Sequence, residues 1–173
     1  MRKEKYVEVF GPGAIASEKK TGFSAIAILA QGALESAWGD VAPGNMLFGV
    51  KDTDGVNGNE QLLVTTEYSR NAHAPFKRIL SVTPVIRNGE KWFKYKIKDY
   101  FRKYETVEEC MNDHVSFFTK NKRYAKALEV RHDPYLFIDA IAKASYATDP
   151  NYAKLLKSIA ASIETLMPKD YGK

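Results

Sequence analysis

The sequence predicts an α+β fold in which a mostly helical body carries a small inserted β lobe. Apolar residues recur at helical spacing before residue 50 and after residue 100, whereas residues 61–100 show strand patterns. Asn88-Gly89 lies between two of these patterns and is the strongest short hairpin signal. The order predicts one domain, with its helical body over about 1–50 and 100–173 and its β lobe over about 51–99, across a cleft.

Bulk composition is that of an ordinary globular domain. Hydrophobic residues make up 45% of the 173 residues and charged residues 27%, so a core can form without disulfides. The net charge of +5 suits an anionic polymer, which could be nucleic acid, anionic lipid or a bacterial wall. One cysteine, Cys110, and three scattered histidines show no zinc spacing. We therefore expect no metal, no cofactor and a buried Cys110.

The N-terminal segment MRKEKYVEVF has basic residues but no apolar run behind them, unlike a secretory signal. No stretch is apolar and long enough to cross a membrane, so we expect no membrane insertion. These features favour a chain kept in the cytoplasm until it is released, as a phage lysin is, or a trimmed domain of a secreted protein.

Local signals delimit the helices and strands. Pro12 predicts a helix start and Gly22 its end, and Ser24 predicts the N-cap of a second helix over about 24–38. Thr106 and Glu109 form a capping-box pattern. Further helices are predicted over about 123–129, 133–145 and 151–166, with Asp133-Pro134 opening the second of these. In the β segment QLLVTTEY predicts one strand, SVTPVIRNGEKWFKYKI predicts a hairpin, and Pro84 predicts an edge strand.

Glu35 is the first candidate catalytic residue. It lies near the end of SAIAILAQGALESAW, a helix that is apolar nearly all round and is therefore expected inside the protein. Desolvation there should raise its pKa and keep it protonated near neutral pH, as a general acid requires. Gln31, Gly32 and Gly39 share its stripe, and the two glycines would let a ligand approach the backbone. A Glu35 that reaches solvent or pairs with lysine is the structural alternative.

A glycosidase usually needs a second carboxylate. The β segment and the loop before it offer Asp52, Asp54, Glu60, Glu67 and Glu90. Glu67 stands in VTTEY on one strand face with Thr65. Taken alone, it is more typical of a solvated strand residue.

Aromatic side chains near these positions offer flat faces on which sugar rings can stack, although most large aromatics lie in the core. They are Trp38, Phe48, Tyr68, Tyr146 and Tyr152. The stretch KWFKYKIKDYFRKY interleaves cations with aromatics, as single-strand binders do. A strand with one solvated basic face accounts for that stretch better.

Five blocks in order resemble glycoside hydrolase family 73, the endo-β-N-acetylglucosaminidases of bacterial autolysins, flagellar hydrolases and phage lysins. AQGALESAWG is similar to the family signature Ala-Gln-x-x-Leu-Glu-Ser-x-Trp-Gly, with Ala37 in place of the usual glycine. The other blocks are GNMLFGVK (44–51), VTTEY (64–68), YFRKYETVEEC (100–110) and YATDPNYAKLL (146–156). Residues 69–98 are longer than the family's usual link.

The resemblance implies a lysozyme-like helical body with the β lobe as one wall of a substrate groove. It implies that Glu35 protonates the glycosidic oxygen between N-acetylglucosamine and N-acetylmuramic acid. Glu67 matches the second carboxylate, which activates water, and Tyr146 matches a tyrosine that positions water or the substrate acetamido group. Inversion and catalysis by that acetamido group both stay open. The expected substrate contacts are Gln31, Trp38, Asn45, Phe48, Tyr68, Asp149 and Tyr152.

The leading hypothesis is therefore a monomeric peptidoglycan hydrolase whose partner is the glycan strand, with no nucleic acid expected. A muramidase or lytic transglycosylase on the same fold is the enzymatic alternative. The second alternative is a non-catalytic module that binds the wall or nucleic acid through the basic aromatic stretch. This alternative predicts salt-sensitive binding that survives loss of Glu35.

Overall fold

The computed structural model describes residues 1–172, and six α-helices and three β-strands make up its regular elements. The helices are α1 (Lys3–Thr21), α2 (Ala25–Glu35), α3 (Val107–Lys120), α4 (Ala125–Glu129), α5 (Pro134–Lys143) and α6 (Tyr152–Glu164). The strands are β1 (Glu60–Ser69), β2 (Ile79–Arg87) and β3 (Glu90–Arg102). The predicted mostly helical α+β class is confirmed. None of the helices in the described part of the chain could span a bilayer.

The chain divides into two units. The helical unit comprises Met1–Phe48 and the chain from Tyr104 onward, and the β unit comprises Gly49–Lys103. All six helices belong to the first unit and all three strands to the second.

Helix α1 begins at Lys3, so the prediction of a helix start near Pro12 is wrong. Pro12 lies inside the helix, where its missing N–H removes one backbone hydrogen bond. Burial outweighs that loss, because one face of α1 enters the core through Tyr6, Val7, Phe10 and Ala14. Gly22 ends the helix as predicted, with a φ of 75° and its N–H donated to the Glu18 carbonyl.

Helix α2 lies inside the helical unit, as its apolar sequence predicts. Every residue from Ala25 to Ala33 is buried, and the helix contacts α1, α5 and α6. Ser24 is its N-cap as predicted, since the Ser24 Oγ accepts a hydrogen bond from the Ala27 N–H at 3.5 Å.

The turn after α2 differs from the prediction, which extended this helix to about residue 38. The helix ends at Glu35, and residues 37–39 have φ values of 51°, 59° and 79°. The Ser36 hydroxyl holds this turn by donating to the Gly32 carbonyl and accepting from the Gly39 N–H. The early stop makes Glu35 the last helical residue.

The remaining helices begin where local signals predict. Thr106 and Glu109 form the capping box of α3, and the Asp133 carboxylate accepts from two N–H groups in the first turn of α5. Cys110 on α3 is buried as expected. Burial raises the pKa of its thiol to about 12, which leaves it un-ionised at neutral pH.

The β unit is an antiparallel sheet with strand order β1-β3-β2. Its hairpin turns at Asn88-Gly89 as predicted, with φ values of 52° and 78° that suit a type I′ turn. Pro84 lies on β2, an edge strand, so its missing N–H costs no inner ladder bond.

The two faces of this sheet differ in whether other parts of the chain pack against them. One face, the packed face, carries Phe93, Tyr95 and Ile97, against which Ala74 and Phe76 of the β1–β2 connection pack. Because partners in the β ladder share a face, Glu67, paired with Tyr95, also belongs to the packed face. The opposite, open face carries the intervening residues, from Leu62 to Tyr68 on β1 and from Trp92 to Tyr100 on β3.

Candidate active site

The Glu35 carboxyl lies at the C-terminal end of α2 next to a tyrosine. The Tyr146 hydroxyl donates a hydrogen bond to Glu35 Oε1 at 3.3 Å. The Glu35 side chain is exposed, yet the surrounding protein displaces part of its hydration, and this desolvation raises its pKa. The Tyr146 hydrogen bond lowers the pKa, but desolvation is the larger effect. Glu35 therefore combines access from solvent with a raised pKa.

Aromatic side chains of the helical unit supply the apolar surroundings of this pair. The Tyr146 ring stacks with Phe118 at a centroid distance of 5.6 Å and tilts against Tyr152 at 5.7 Å. Tyr124 completes the group at 6.1 Å. Burial, followed by the nearby Glu35, raises the pKa of the Tyr146 hydroxyl well above its usual value, so this hydroxyl stays a hydrogen-bond donor at any working pH.

A buried chain of hydrogen bonds lies beside the pair. Gln31 Nε2 donates to the Tyr152 hydroxyl at 3.1 Å, and Gln31 Oε1 lies 3.1 Å from His114 Nε2. Burial lowers the pKa of His114 to about 3, so its ring is neutral and can donate to Gln31. His114 stacks on Phe48 with 3.6 Å between ring centroids. Three of the expected substrate contacts, Gln31, Phe48 and Tyr152, thus belong to one network.

The expectation that Gly32 and Gly39 open the backbone to a ligand is wrong. A Cβ on Gly32 would lie 2.7 Å from the Tyr6 hydroxyl, and a Cβ on Gly39 would lie 2.7 Å from the Phe10 ring. The glycines therefore admit aromatic side chains of α1. Tyr6 also donates to the Leu29 carbonyl at 2.9 Å, which ties α1 to α2.

Other expected contacts lie outside this network. Trp38 meets Tyr6 edge-on at 5.6 Å, with the Lys3 ammonium 5.0 Å from its ring centroid. The Asn45 amide donates to the Tyr104 carbonyl at 3.0 Å. Asp149 is exposed, and its carboxylate accepts the Asn151 N–H at 2.8 Å just before α6.

In the β unit, Glu67 is ion-paired. Lys51 Nζ lies 2.8 Å from Glu67 Oε1 and 3.0 Å from Asp99 Oδ2. The hydrogen bond to Glu67 is the largest influence on the pKa of Lys51, which is raised. Tyr68, the next residue, lies on the open face with Arg87 4.0 Å from its ring centroid.

Three other acidic candidates of the β unit, Asp54, Glu60 and Glu90, are also held by neighbours. Asp54 pairs with Arg102 at 3.2 Å, and Glu90 pairs with Arg70. The Glu60 carboxylate accepts the Gly58 N–H. No group of three metal-ligating side chains occurs in residues 1–172.

Sequence reasoning missed two residues of these clusters. Lys51 ends the GNMLFGVK block, so its place in a motif was the available signal. His114 lies far along the chain from Gln31 and Phe48, and no local pattern predicts that contact.

An accessible glutamate with a raised pKa, in a mostly helical α+β fold, is the combination expected of a glycosidase of the lysozyme-like class. The family model described as Glucosaminidase, mannosyl-glycoprotein endo-beta-N-acetylglucosaminidase, matches residues 11–165. The chain belongs to this family, which is the glycoside hydrolase family 73 that its motifs resemble.

Named relatives agree with this assignment. The chain is 34% identical to the peptidoglycan hydrolase FlgJ of Salmonella typhimurium over 165 residues, which cover 91% of this chain and 45% of FlgJ. It is 31% identical to the exo-glucosaminidase LytG of Bacillus subtilis over 139 residues, which cover 76% of this chain and 41% of LytG. The chain thus matches less than half the length of either protein.

A solved structure extends the comparison to the fold. The C-terminally truncated glycoside hydrolase domain of Salmonella typhimurium FlgJ matches this chain with a TM-score of 0.70 at 30% identity. The match covers 95% of this chain and 99% of that domain.

Proposed function

We propose that this chain is a peptidoglycan hydrolase that cleaves the β-1,4 bond between N-acetylglucosamine and N-acetylmuramic acid, with Glu35 as general acid. The observation that carries the proposal is the raised pKa of a solvent-accessible Glu35 beside the Tyr146 hydroxyl. Family membership and the relatives named peptidoglycan hydrolase and exo-glucosaminidase support it. In this proposal the whole chain acts as one catalytic domain on the bacterial wall.

The proton transfer follows from the Glu35 hydrogen bond. Because Tyr146 donates to Oε1, the acidic proton of Glu35 is carried by Oε2. That proton passes to the glycosidic oxygen as the bond to the anomeric carbon breaks. The Tyr146 hydroxyl then stabilises the carboxylate that forms. Tyr146 is in this way a partner of the acid rather than a second acid.

Glu67 is the proposed second carboxylate. Its carboxylate lies 2.8 Å from the Lys51 ammonium, and a base that activates water acts as the carboxylate. The Tyr152 hydroxyl, whose oxygen accepts from Gln31, keeps its own proton to donate to a substrate oxygen. The remaining proposed sugar contacts are Gln31, Trp38, Asn45, Phe48, Tyr68 and Asp149.

The experiment compares wild-type protein with Glu35→Gln on purified bacterial walls, with reducing ends as the readout. We expect a loss of at least about 100-fold, the scale of one general acid. Glu129→Gln is the matched control, because Glu129 is also exposed and is also the last residue of its helix. Unchanged cleavage by Glu35→Gln would reject the acid, and no cleavage by the wild type would reject the function.

Mass spectrometry of the fragments identifies the bond. Reducing-end N-acetylglucosamine supports the proposal, whereas reducing-end N-acetylmuramic acid indicates a muramidase and an anhydro product indicates a lytic transglycosylase. Fragment length separates cleavage within strands, which we expect, from the terminal cleavage that the name of LytG describes.

A further inference from the structure

The open face of the sheet carries a row of lysines. Lys94, Lys96 and Lys98 alternate along β3, and all three are exposed. Their ladder partners on the neighbouring strands are uncharged: Val64, Thr66 and Tyr68 on β1, and Ser81 and Thr83 on β2. Among the described residues beside this row there is no acidic side chain. Lysines two residues apart on a strand are separated by about 6.8 Å.

Arginines lie over the aromatic rings of the open face. The Arg87 guanidinium lies 4.0 Å from the Tyr68 ring centroid and 5.6 Å from that of Trp92. The Arg78 guanidinium lies 4.6 Å from the Tyr100 ring centroid. These cation–π contacts hold the guanidinium groups over the rings. The arginines therefore add positive charge to the face beside the Tyr68 and Tyr100 rings, which stay partly exposed.

We propose that the open face binds a linear phosphodiester polymer of the bacterial wall, of the poly(glycerol phosphate) type. Each repeat of such a chain has six backbone bonds, as two residues of an extended polypeptide have, so its phosphates repeat at about 7 Å. That repeat matches the spacing of the lysine row, so successive phosphates can each meet one lysine. Only the choice of the wall as the source of the polymer rests on the proposed function.

Because arginines lie over the Tyr68 and Tyr100 rings, the open face favours this polymer over a single-stranded nucleic acid. A nucleic acid also has six backbone bonds per repeat, but proteins that bind single strands stack the bases on exposed aromatic faces. On the open face those ring surfaces already carry Arg87 and Arg78. A polymer without bases needs only the charges.

The binding site is separate from the proposed second carboxylate. Lys94 to Lys98 lie on the open face, and Glu67 lies on the packed face of the same sheet. The lysine substitutions leave Glu67 in place, as well as Tyr68, the ladder partner of Lys94 and a proposed sugar contact. We therefore expect them to remove binding of the polymer while hydrolysis of the glycan strand is kept. The site would retain the enzyme on walls that carry such a polymer.

The test measures binding of purified, lipid-free poly(glycerol phosphate) to the full chain over a range of salt concentrations. The variant is the triple Lys94→Gln, Lys96→Gln, Lys98→Gln, and the control with equal charge loss is Lys19→Gln, Lys126→Gln, Lys154→Gln, three exposed lysines of the helical unit. Losing three phosphate contacts should lower the slope of log affinity against log salt by about 2. Between about 50 and about 200 mM salt, the wild type should lose about 20-fold more affinity than the variant.

Three further measurements make the result decisive. The triple lysine-to-arginine variant at 94, 96 and 98 should keep binding, which excludes a folding defect as the cause. Equal weakening by the control triple, or tighter binding of a single-stranded oligonucleotide of the same charge, would overturn the proposal. Binding is also measured on Glu35→Gln, and hydrolysis on glycan strands free of the polymer. If hydrolysis is absent while binding persists, only the proposed function fails.

Discussion

Two glutamates of this chain lie in opposite electrostatic surroundings. Glu35, at the end of a buried helix, has aromatic neighbours and a neutral hydroxyl as its partner, and desolvation raises its pKa. Glu67, on the packed face of the sheet, lies 2.8 Å from the Lys51 ammonium. The first environment favours the protonated form of a carboxyl group, whereas the second places a cation beside it.

This contrast shows how one side-chain type can serve two roles. Glycosidic hydrolysis requires one carboxyl that arrives with its proton and another that arrives without one. The difference depends on neighbours that are distant in sequence, Tyr146 for Glu35 and Lys51 for Glu67. Environment, rather than the identity of the residue, assigns the roles.

Among the predicted losses of activity that test this contrast, the largest should follow removal of Glu67, the proposed second carboxylate. We expect Glu67→Gln to lower kcat by about 100-fold, because the base that activates water is lost. Glu90→Gln, at another ion-paired glutamate of the β unit, is the control and should keep activity. NMR of the first-formed product should show an inverted anomer in the wild type. Full activity of Glu67→Gln with a retained anomer would instead identify the substrate acetamido group as nucleophile.

Removing the cation beside Glu67 should have a smaller effect. Lys51→Met leaves the carboxylate in place but without its ammonium partner, and we expect about a 10-fold loss of kcat, the lower range for a misplaced catalytic group. Lys51→Arg should keep most of the wild-type kcat. Because the pair is partly exposed, thermal unfolding should change little. Equal activity of Lys51→Met and wild type would show that the ion pair has no part in catalysis.

Tyr146→Phe tests the surroundings of Glu35. The Tyr146 hydrogen bond lowers the pKa of Glu35, so its removal should raise that pKa. A general acid is active while protonated, and activity falls as pH rises through its pKa. The alkaline limb of the kcat/KM profile should therefore move to higher pH. An unmoved limb, or one moved to lower pH, would contradict the assigned partner.

Sequence alone predicted the features that depend on neighbours within a few residues. The Ser24 cap, the Thr106 capping box and the Asn88-Gly89 turn each need only local hydrogen bonds or one backbone conformation. The burial of α2, the helix that ends at Glu35, followed from its own apolar composition. These signals were sufficient for the fold class and for the first candidate residue.

Features decided by tertiary packing were not predictable in this way. The start of α1 was misplaced because burial of Tyr6 and Phe10 outweighs the local effect of Pro12. Lys51 and His114 were missed as site residues because their partners come from distant segments. A local pattern states what a segment prefers but not what packs against it.

The smallest expected effect concerns stability, and it tests the raised pKa of Glu35 without any substrate. Between the pKa of Glu35 in the unfolded chain and its higher pKa in the folded protein, the folded state binds more protons, so stability falls as pH rises. Glu35→Gln removes that penalty. We expect its Tm to equal that of the wild type below about pH 4, where Glu35 is largely protonated in both states, and to exceed it modestly at neutral pH. Melting curves across pH for Glu35→Gln and Glu129→Gln measure the difference. A Glu35→Gln variant that is less stable at neutral pH would mean that the ionised Glu35 is stabilised by its surroundings, and the contrast with Glu67 would disappear.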